Sequence, residues 1–469
     1  MTMAFNVLQG PEKLRQVTKL LDSLEKDIQS KTLTSSQRTQ TLLQLRQHGT
    51  SPDNAGPIYS KRGIEILSKY GVDGETNDVR RAALRCVANA LLLDENMRQI
   101  FADTGRGGKL AEMLKCDSSE DEMVISRILF LSTYDTNMDF EVLINEHSLG
   151  DNVNYQILRH SKQFPKSGRK PLSQIDELAF TDTLKLVFNV SKLFQDLSPT
   201  FSPSIPYIFK IISRIDIPFK PLDGLLGTLL NCLSTLDLEN KKGKPFDSSP
   251  LFPTFNQNCN VDKLINVLDQ SVSLYSPAEL ETKAIPLLHS LITIHELAPE
   301  GPRKYMQWLL LPDDSDRSRP IGQSDTLSSK LLKLSTMPQP NLKIAISELM
   351  FVLSGKNAEN LTKNIGYGFA AGLLASRGID IPQTAGEAFA TNAEGLDPEV
   401  NPITGQRWDA EQQDTGPPMT QEEKEREAER LFVLFERAKA NGILTVENPV
   451  TQALREGRFE ELSDSGDSD

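Results

Sequence analysis

Three stretches far apart in the chain share one pattern: LRCVAN from Leu84 to Asn89, LKLVFN from Leu184 to Asn189 and LGTLLN from Leu226 to Asn231. Each has a leucine, an apolar residue three positions on and an asparagine five positions on, and the last two begin 42 residues apart. The same step from Leu84 reaches SRILFLST at Ser126, and IPLLHSLITI and IAISELMFVL continue the series. Apolar residues at three- and four-residue spacing mark helices. EKLRQVTKLLDSLEKDI is another, with Leu14, Val17, Leu20, Leu21 and Leu24 on one face. Breaks rich in Pro and Gly, such as SPDNAGP, LSPTFSPSIP and LPDDSDRSRPIG, separate the helices, and alternating strand patterns are scarce. A unit of two or three helices recurring every ~40–47 residues cannot bury its apolar face alone. Stacked units share a continuous core and leave a concave groove. The expected fold is therefore all-α, an armadillo/HEAT-like helical-repeat solenoid with a C-terminal extension.

The repeat pattern also assigns faces, because residues four apart lie above one another on a helix. Arg85 neighbours Asn89 and Lys185 neighbours Asn189, while Leu84, Val87 and Leu91 take the other side. Asn231 ends the third copy, and Arg127 sits in SRILFLST, which lacks the repeat asparagine. Asparagine is mildly unfavourable inside a helix. Two readings stay open. On the groove its amide both donates to and accepts from a bound peptide's backbone. Between helices it only holds the solenoid together.

Composition narrows the function classes. The chain has 469 residues, 38% of them hydrophobic and only 6% aromatic, so its core relies on Leu, Ile and Val. A formal charge of −13 and a pI of about 5.1 argue against nucleic acid as the main partner, since phosphate contacts need a basic footprint. Cys86, Cys116, Cys232 and Cys259 form no C-x-x-C pair, which speaks against a zinc cage or a redox motif. They are expected to be free thiols of a reducing compartment. The first residues, MTMAFNVLQGPEKLRQ, contain no signal-like apolar core, and no run of about eighteen apolar residues suggests a membrane span. A soluble, cytoplasmic chain is expected, with neither cofactor nor metal.

One stretch competes with this reading. Gly366-Tyr367-Gly368-Phe369-Ala370-Ala371 spells G-x-G-x-x-A, and Glu387 follows at about the distance of a ribose-binding acid. A dinucleotide loop needs a strand before it and a helix after it. Here ELMFVLSGKNAENLTKN precedes, which reads as helix, turn and helix. The stretch is expected to be a capping element, with FAAGLLASRG a small-residue helix closed by Gly378. No other catalytic set stands out. His48, His147, His160, His289 and His295 make no H-E-x-x-H, and neither G-x-S-x-G nor G-K-[ST] occurs.

Beyond the repeats the chain turns polar. Residues 1–365 are assigned to the repeat domain, 366–418 to the glycine-rich cap and a linker, 419–442 to a helix and 443–469 to an acidic, disordered tail with serines open to phosphorylation. The helix MTQEEKEREAERLFVLFERAKANG opens with a capping box, Thr420 with Glu423, and closes at Asn441-Gly442. Leu431, Phe432, Leu434, Phe435 and Ala438 crowd its second half. Such a helix either docks on the solenoid or captures a partner.

NIGYGFAAGLLASRG, then NPITG, then MTQEEKEREAERLFVLFERA, in that order, resembles the C-terminal signature of the synembryn family of guanine-nucleotide exchange factors. ALRCVANALLL, SRILFLST and LKLVFNVS resemble its repeat helices, and the divergence elsewhere suggests a fungal-type member. The resemblance implies a solenoid that binds the alpha subunit of heterotrimeric G proteins, chaperones its folding and promotes GDP release without covalent catalysis. It implies a groove holding the alpha C-terminal helix against Arg85, Asn89, Arg127, Lys185, Asn189 and Asn231. It implies further contacts from Lys330, Lys333 and Lys343, and from Leu431, Phe432 and Phe435 on the last helix. It also implies a monomer recruited to the cell cortex or plasma membrane through the G protein. Thr391 with Glu394 is a weak remnant of the acidic, phosphorylatable block of animal members. The alternatives are an armadillo-type adaptor for another peptide and a nucleotide-binding enzyme. A nuclear-import adaptor would show regular Trp/Asn pairs, whereas Trp308 and Trp408 sit with no repeat asparagine.

Overall fold

The computed structural model describes residues 8–167, 171–239, 249–379, 400–401, 403–411 and 420–440. Helices dominate them, and the one β feature is an isolated antiparallel bridge between Val400 and Arg407. The chain opens with α1 (Gly10–Ser30), α2 (Ser35–His48), α3 (Lys61–Asp73) and α4 (Asn77–Leu93). Then come α5 (Asn96–Asp103), α6 (Gly107–Met113), α7 (Ser119–Leu131), α8 (Phe140–Asn145), α9 (Leu149–Ser161) and α10 (Gln174–Leu193). The middle holds α11 (Ile205–Arg214), α12 (Gly224–Leu233), α13 (Cys259–Leu274), α14 (Pro277–Lys283) and α15 (Ile285–Leu297). The array ends with α16 (Glu300–Leu310), α17 (Leu327–Ser335), α18 (Pro340–Leu353), α19 (Ala358–Ile365) and α20 (Tyr367–Ser376), and α21 (Gln421–Ala440) follows.

Packing sorts these helices into two layers. In one, α4 packs on α7, α7 on α10, α10 on α12, α12 on α15 and α15 on α18. These six carry the six related stretches of the sequence, so the repeat reading located one complete layer. In the other layer α6 packs on α9, α9 on α11, α11 on α13 and α13 on α17. The fold is an all-α repeat solenoid. Residues Met1–Ala410 form one compact unit, and Glu411–Asp469 form a second, of which α21 is the described part.

Local chemistry starts and stops the helices as the sequence suggests. Thr34, Ser276 and Thr420 close capping boxes with Gln37, Glu279 and Glu423. Pro206, Pro277, Pro286 and Pro340 stand in first turns, where a missing N–H costs nothing. The core is one continuous cluster of mainly Leu, Ile and Val, with Phe101, Phe140, Phe164, Phe180 and Phe201 fully buried among them. Buried polar residues stitch neighbouring repeats. Asn152 donates to Ala111 O (2.8 Å), Gln156 Nε2 donates to Leu114 O (2.6 Å), and the Thr183 hydroxyl donates to the Glu122 carboxylate (2.7 Å). All four cysteines are free, and burial pushes the Cys86 thiol up to about 12. His295 is buried on α15, and burial lowers its imidazole to about 4.

The glycine-rich stretch forms one helix, α20, and no nucleotide loop. Helix α19 leads in, where a dinucleotide fold would have a strand. Gly366 N–H donates to Thr362 O (2.8 Å) and Gly368 N–H to Ile403 O (3.1 Å), so both fingerprint amides are occupied by the chain itself. Helix α20 ends as expected at Gly378, with φ +62°. Gly378 N–H reaches Ala375 O and Ile379 N–H reaches Leu374 O, the paired bonds of a Schellman motif. Glu387 and the Thr391–Glu394 pair lie outside the described residues. The first unit continues to Ala410, so the glycine-rich helix packs with the repeats, on α18 and α19.

Candidate partner-binding surface

The layer α4–α7–α10 brings Arg85, Arg127 and Lys185 onto three successive helices, and two carboxylates organise them. Glu120 at the start of α7 accepts from Arg81 (3.1 Å) and lies 3.6 Å from Arg85. Asp182 on α10 accepts from Arg127 Nε (2.8 Å) and lies 3.6 Å from Lys185. Asp182 is itself buried. Burial raises its carboxyl pKa, although both cations pull it down. The result is a row of cations spaced by acids, with each cation retaining donors. The Arg85 Nε–H is buried and has no partner among the described residues. Its position gives it a strong unmet demand for an acceptor.

The three asparagines divide. Asn189 is buried and donates to the Thr133 hydroxyl (2.7 Å), so its amide serves the interface between α7 and α10. Asn89 and Asn231 are half-buried, and neither amide has a hydrogen-bond partner among the described residues. The interhelix reading therefore describes Asn189, and the groove reading stays available for the other two.

An apolar strip that sequence reasoning did not identify runs beside the charges. The C-terminal turns of α4 and α10 leave Leu92 (55%), Leu93 (42%) and Leu193 (54%) exposed, and Tyr134 follows α7. Lys185 Nζ stands 5.6 Å from the centroid of Phe130, and Arg98 stands 5.6 Å from that of Tyr134. The signal was in the sequence: LLL at 91–93 and LF at 193–194 extend the apolar pattern past the packed stripe. Asp182 and Glu120 carried no such signal, because acids on an amphipathic helix usually read as a solvated face.

The three lysines assigned to a second contact do not share one helix. Lys330 on α17 bonds the Ser273 hydroxyl (3.0 Å) and lies 3.6 Å from Asp269, which ties it to α13. Lys333 is exposed on α17 and Lys343 is exposed on α18. Within α21, Phe432 is 40% exposed and Val433 48% exposed. The side chains of Leu431 and Phe435 lie outside the described residues.

Another residue missed from sequence is Arg317, inside a stretch read only as a break. It is buried and donates to Gly405 O (3.0 Å), Lys363 O (3.1 Å) and Asn364 O (3.1 Å). Beside it Asp316 accepts from the hydroxyls of Thr326 (2.6 Å) and Ser328 (2.8 Å), and from that of Ser324. Burial works to raise this carboxyl, but the hydroxyl donors hold it below the usual range.

The chain is similar to known proteins over most of its length. A family described as guanine nucleotide exchange factor synembryn matches residues 41–458. A chaperone Ric-8A of Xenopus tropicalis is 30% identical over 213 residues, which cover 44% of this chain and 38% of that protein. A synembryn-like chaperone of Schizosaccharomyces pombe is 24% identical over 421 residues, covering 84% of this chain and 78% of that protein. A chaperone Ric-8A of Macaca fascicularis is 24% identical over 490 residues, covering 94% and 88%. Among solved structures, a designed armadillo repeat protein aligns with 73% of this chain and 99% of its own, at 10% identity and a TM-score of 0.36. The family match takes in both the repeat helices and the signature blocks that follow them, and the chain belongs to the synembryn family.

Proposed function

We propose that the protein is a nucleotide-exchange factor and folding chaperone for heterotrimeric G-protein alpha subunits, holding the alpha C-terminal helix on the α4–α7–α10 surface. The observation that carries this reading is the pairing of unspent donors with an apolar strip on one layer. A helix ends in four carbonyls that lack intrahelical partners. The Asn89 and Asn231 amides are donors suited to those carbonyls, and the Arg85, Arg127 and Lys185 cations to a terminal carboxylate. Leu92, Phe130 and Tyr134 suit the apolar face of the same helix.

Exchange then needs no acid, base or nucleophile. A protein that binds the nucleotide-free alpha subunit more tightly than the GDP-bound one weakens GDP binding by the same factor. GTP entry reverses the preference and releases the factor. Phe432 with Leu431 and Phe435 on α21, and Lys330, Lys333 and Lys343 on the array, supply further contacts in this reading. The protein works as a cytoplasmic monomer brought to the plasma membrane by its partner. No helix among the described residues is long and apolar enough to cross a membrane.

The test is release of labelled GDP from a purified alpha subunit. The unaltered protein is expected to speed release. Arg85→Glu with Asn89→Ala should slow it by at least tenfold, the equivalent of about 1.4 kcal/mol. Complex formation without faster release would leave a chaperone or adaptor. Neither complex nor release, across several alpha subunits, would end the reading.

A further inference from the structure

On a chain of formal charge −13, one cluster of cations lies on the second layer, outside the α4–α7–α10 surface. Helix α9 ends at Ser161, and Lys162 and Lys166 follow it, both exposed. Helix α11 packs on α9 and carries Lys210 and Arg214 four positions apart, so the two share one face. Arg214 Nη1 donates to Phe164 O (2.6 Å), which brings the last turn of α11 against the end of α9. Lys210 is half-buried there. Burial lowers its ammonium pKa, and the neighbouring Arg214 and Lys162 lower it further. Among the described residues no carboxylate pairs with Lys162, Lys166 or Lys210.

Beside the cluster a fixed turn holds an aromatic side chain out to solvent. Phe219, in the turn that follows α11, is 80% exposed, and Pro218 and Lys220 next to it are exposed too. The turn is anchored from behind. Leu222 is buried and its N–H donates to the Tyr275 hydroxyl (3.1 Å), Asp223 N–H donates to Lys220 O (3.2 Å), and the Asp223 carboxylate pairs with Lys283 (2.7 Å). Phe219 lines a groove with Ile215, Pro218 and Lys220, and the acids of that groove are Glu177, Asp216 and the engaged Asp223. A cation at a helix C-terminus is ordinary, since it meets the negative end of the dipole. Lys162, Lys166, Lys210, Arg214 and Lys220 around two such ends, with a phenylalanine held out beside them, exceed that need.

We propose that this end of α9 and α11 binds an anionic membrane surface: the cations take the acidic groups of lipid headgroups, and Phe219 inserts at the boundary with the acyl chains. The cations alone would suit a phosphorylated peptide equally well. Phe219 decides for the bilayer, because an exposed ring on a held turn, flanked by lysines whose stems lie along apolar surface, is the composition of an interfacial anchor. From Arg214 to Phe219 the chain spans at most about 18 Å, so ring and cations reach one headgroup layer. Each Lys or Arg near an acidic surface strengthens binding by about fivefold, and the attraction fades within a Debye length. The contact is therefore reversible and sensitive to salt. It needs no alpha subunit and uses none of the α4–α7–α10 surface, so it stands apart from the reading under Proposed function.

The experiment sediments the full-length protein with vesicles, one set of phosphatidylcholine alone and one of two parts phosphatidylcholine to one part phosphatidylserine. Binding to the mixed vesicles only is expected. Raising the salt from about 0.1 to about 1 M shortens the Debye length from about 10 to about 3 Å and should release the protein. Lys162→Glu with Lys166→Glu should weaken binding by at least about 25-fold. Phe219→Ala should weaken it by about fivefold. Lys26→Glu with Lys304→Glu, at exposed sites on α1 and α16, makes the same change in net charge and should stay within about twofold of the unaltered protein. All the replaced side chains are exposed, and unchanged thermal melting confirms that each variant folds. Equal binding to both vesicle sets, or to neither, overturns the proposal. So does an equal loss in the Lys26 and Lys304 pair, which would make net charge the cause, or no loss in Phe219→Ala. Displacement from the vesicles by a phosphoserine peptide, at concentrations where inorganic phosphate does nothing, would assign the cluster to a phosphopeptide and overturn it as well.

Discussion

Asn89 and Asn189 hold the same place in the repeat pattern and do different work. Asn189 is buried and bonded to Thr133 across α7 and α10, whereas the Asn89 amide is half-buried and unspent. Removing a buried, bonded amide costs about 1–2 kcal/mol, while a change at an uncommitted site costs less than about 0.5 kcal/mol. Asn189→Ala is therefore expected to lower the urea midpoint with alpha-subunit affinity unchanged. Asn89→Ala should do the reverse. A common effect of both substitutions on affinity would reject this division. The sequence could not make the distinction, because it depends on a threonine 56 positions away. Asp182 was missed for a related reason: its importance comes from the two cations that converge on it from α7 and from its own helix.

At the scale of elements, the link between the glycine-rich block and the NPITG turn becomes physical. Gly366 has φ +75° and ψ 151°, a region in which only glycine is comfortable. A Cβ there would stand 2.8 Å from Ile403 O, in the strap of described residues between Val400 and Ala410 that bonds to Arg317 and Ile321. Gly366→Ala is expected to destabilise this end of the array by about 1–3 kcal/mol. Hydrogen exchange at the Gly368 and Arg407 amides would report the loosening. Gly372 is the control: it is exposed within α20, and a Cβ there meets only the end of the Lys343 side chain, Nζ at 3.8 Å and Cε at 3.9 Å. Gly372→Ala should be neutral or should add up to about 1 kcal/mol of helix propensity. Protection unchanged in Gly366→Ala would contradict the account of the strap. The helix α20 and its glycine stop were legible from the spacing of small residues. The strap was not, since its bonds join Arg317 to Gly405, 88 positions apart.

For the whole molecule, one period carried most of the information. The repeat of leucine, apolar residue and asparagine marked α4, α10 and α12, and its 42-residue step with the apolar helices that continue it located α7, α15 and α18, because each of these helices must present an apolar stripe to the next. The second layer was less legible: several of its helices are short, such as α6 with 7 residues and α17 with 9, and none carries the repeat pattern. A long array with an exposed, donor-rich face suits a partner whose own conformation is unsettled, which is what a chaperone and an exchange factor share. Both roles reduce to one quantity, the preference for the nucleotide-free state over the GDP-bound state. Calorimetric titration of the full-length protein against the alpha subunit in each state measures that preference most directly. Tighter binding to the nucleotide-free form is predicted, by the same factor that GDP affinity falls in the complex. Equal affinity for the two forms would contradict the account, however tight the binding.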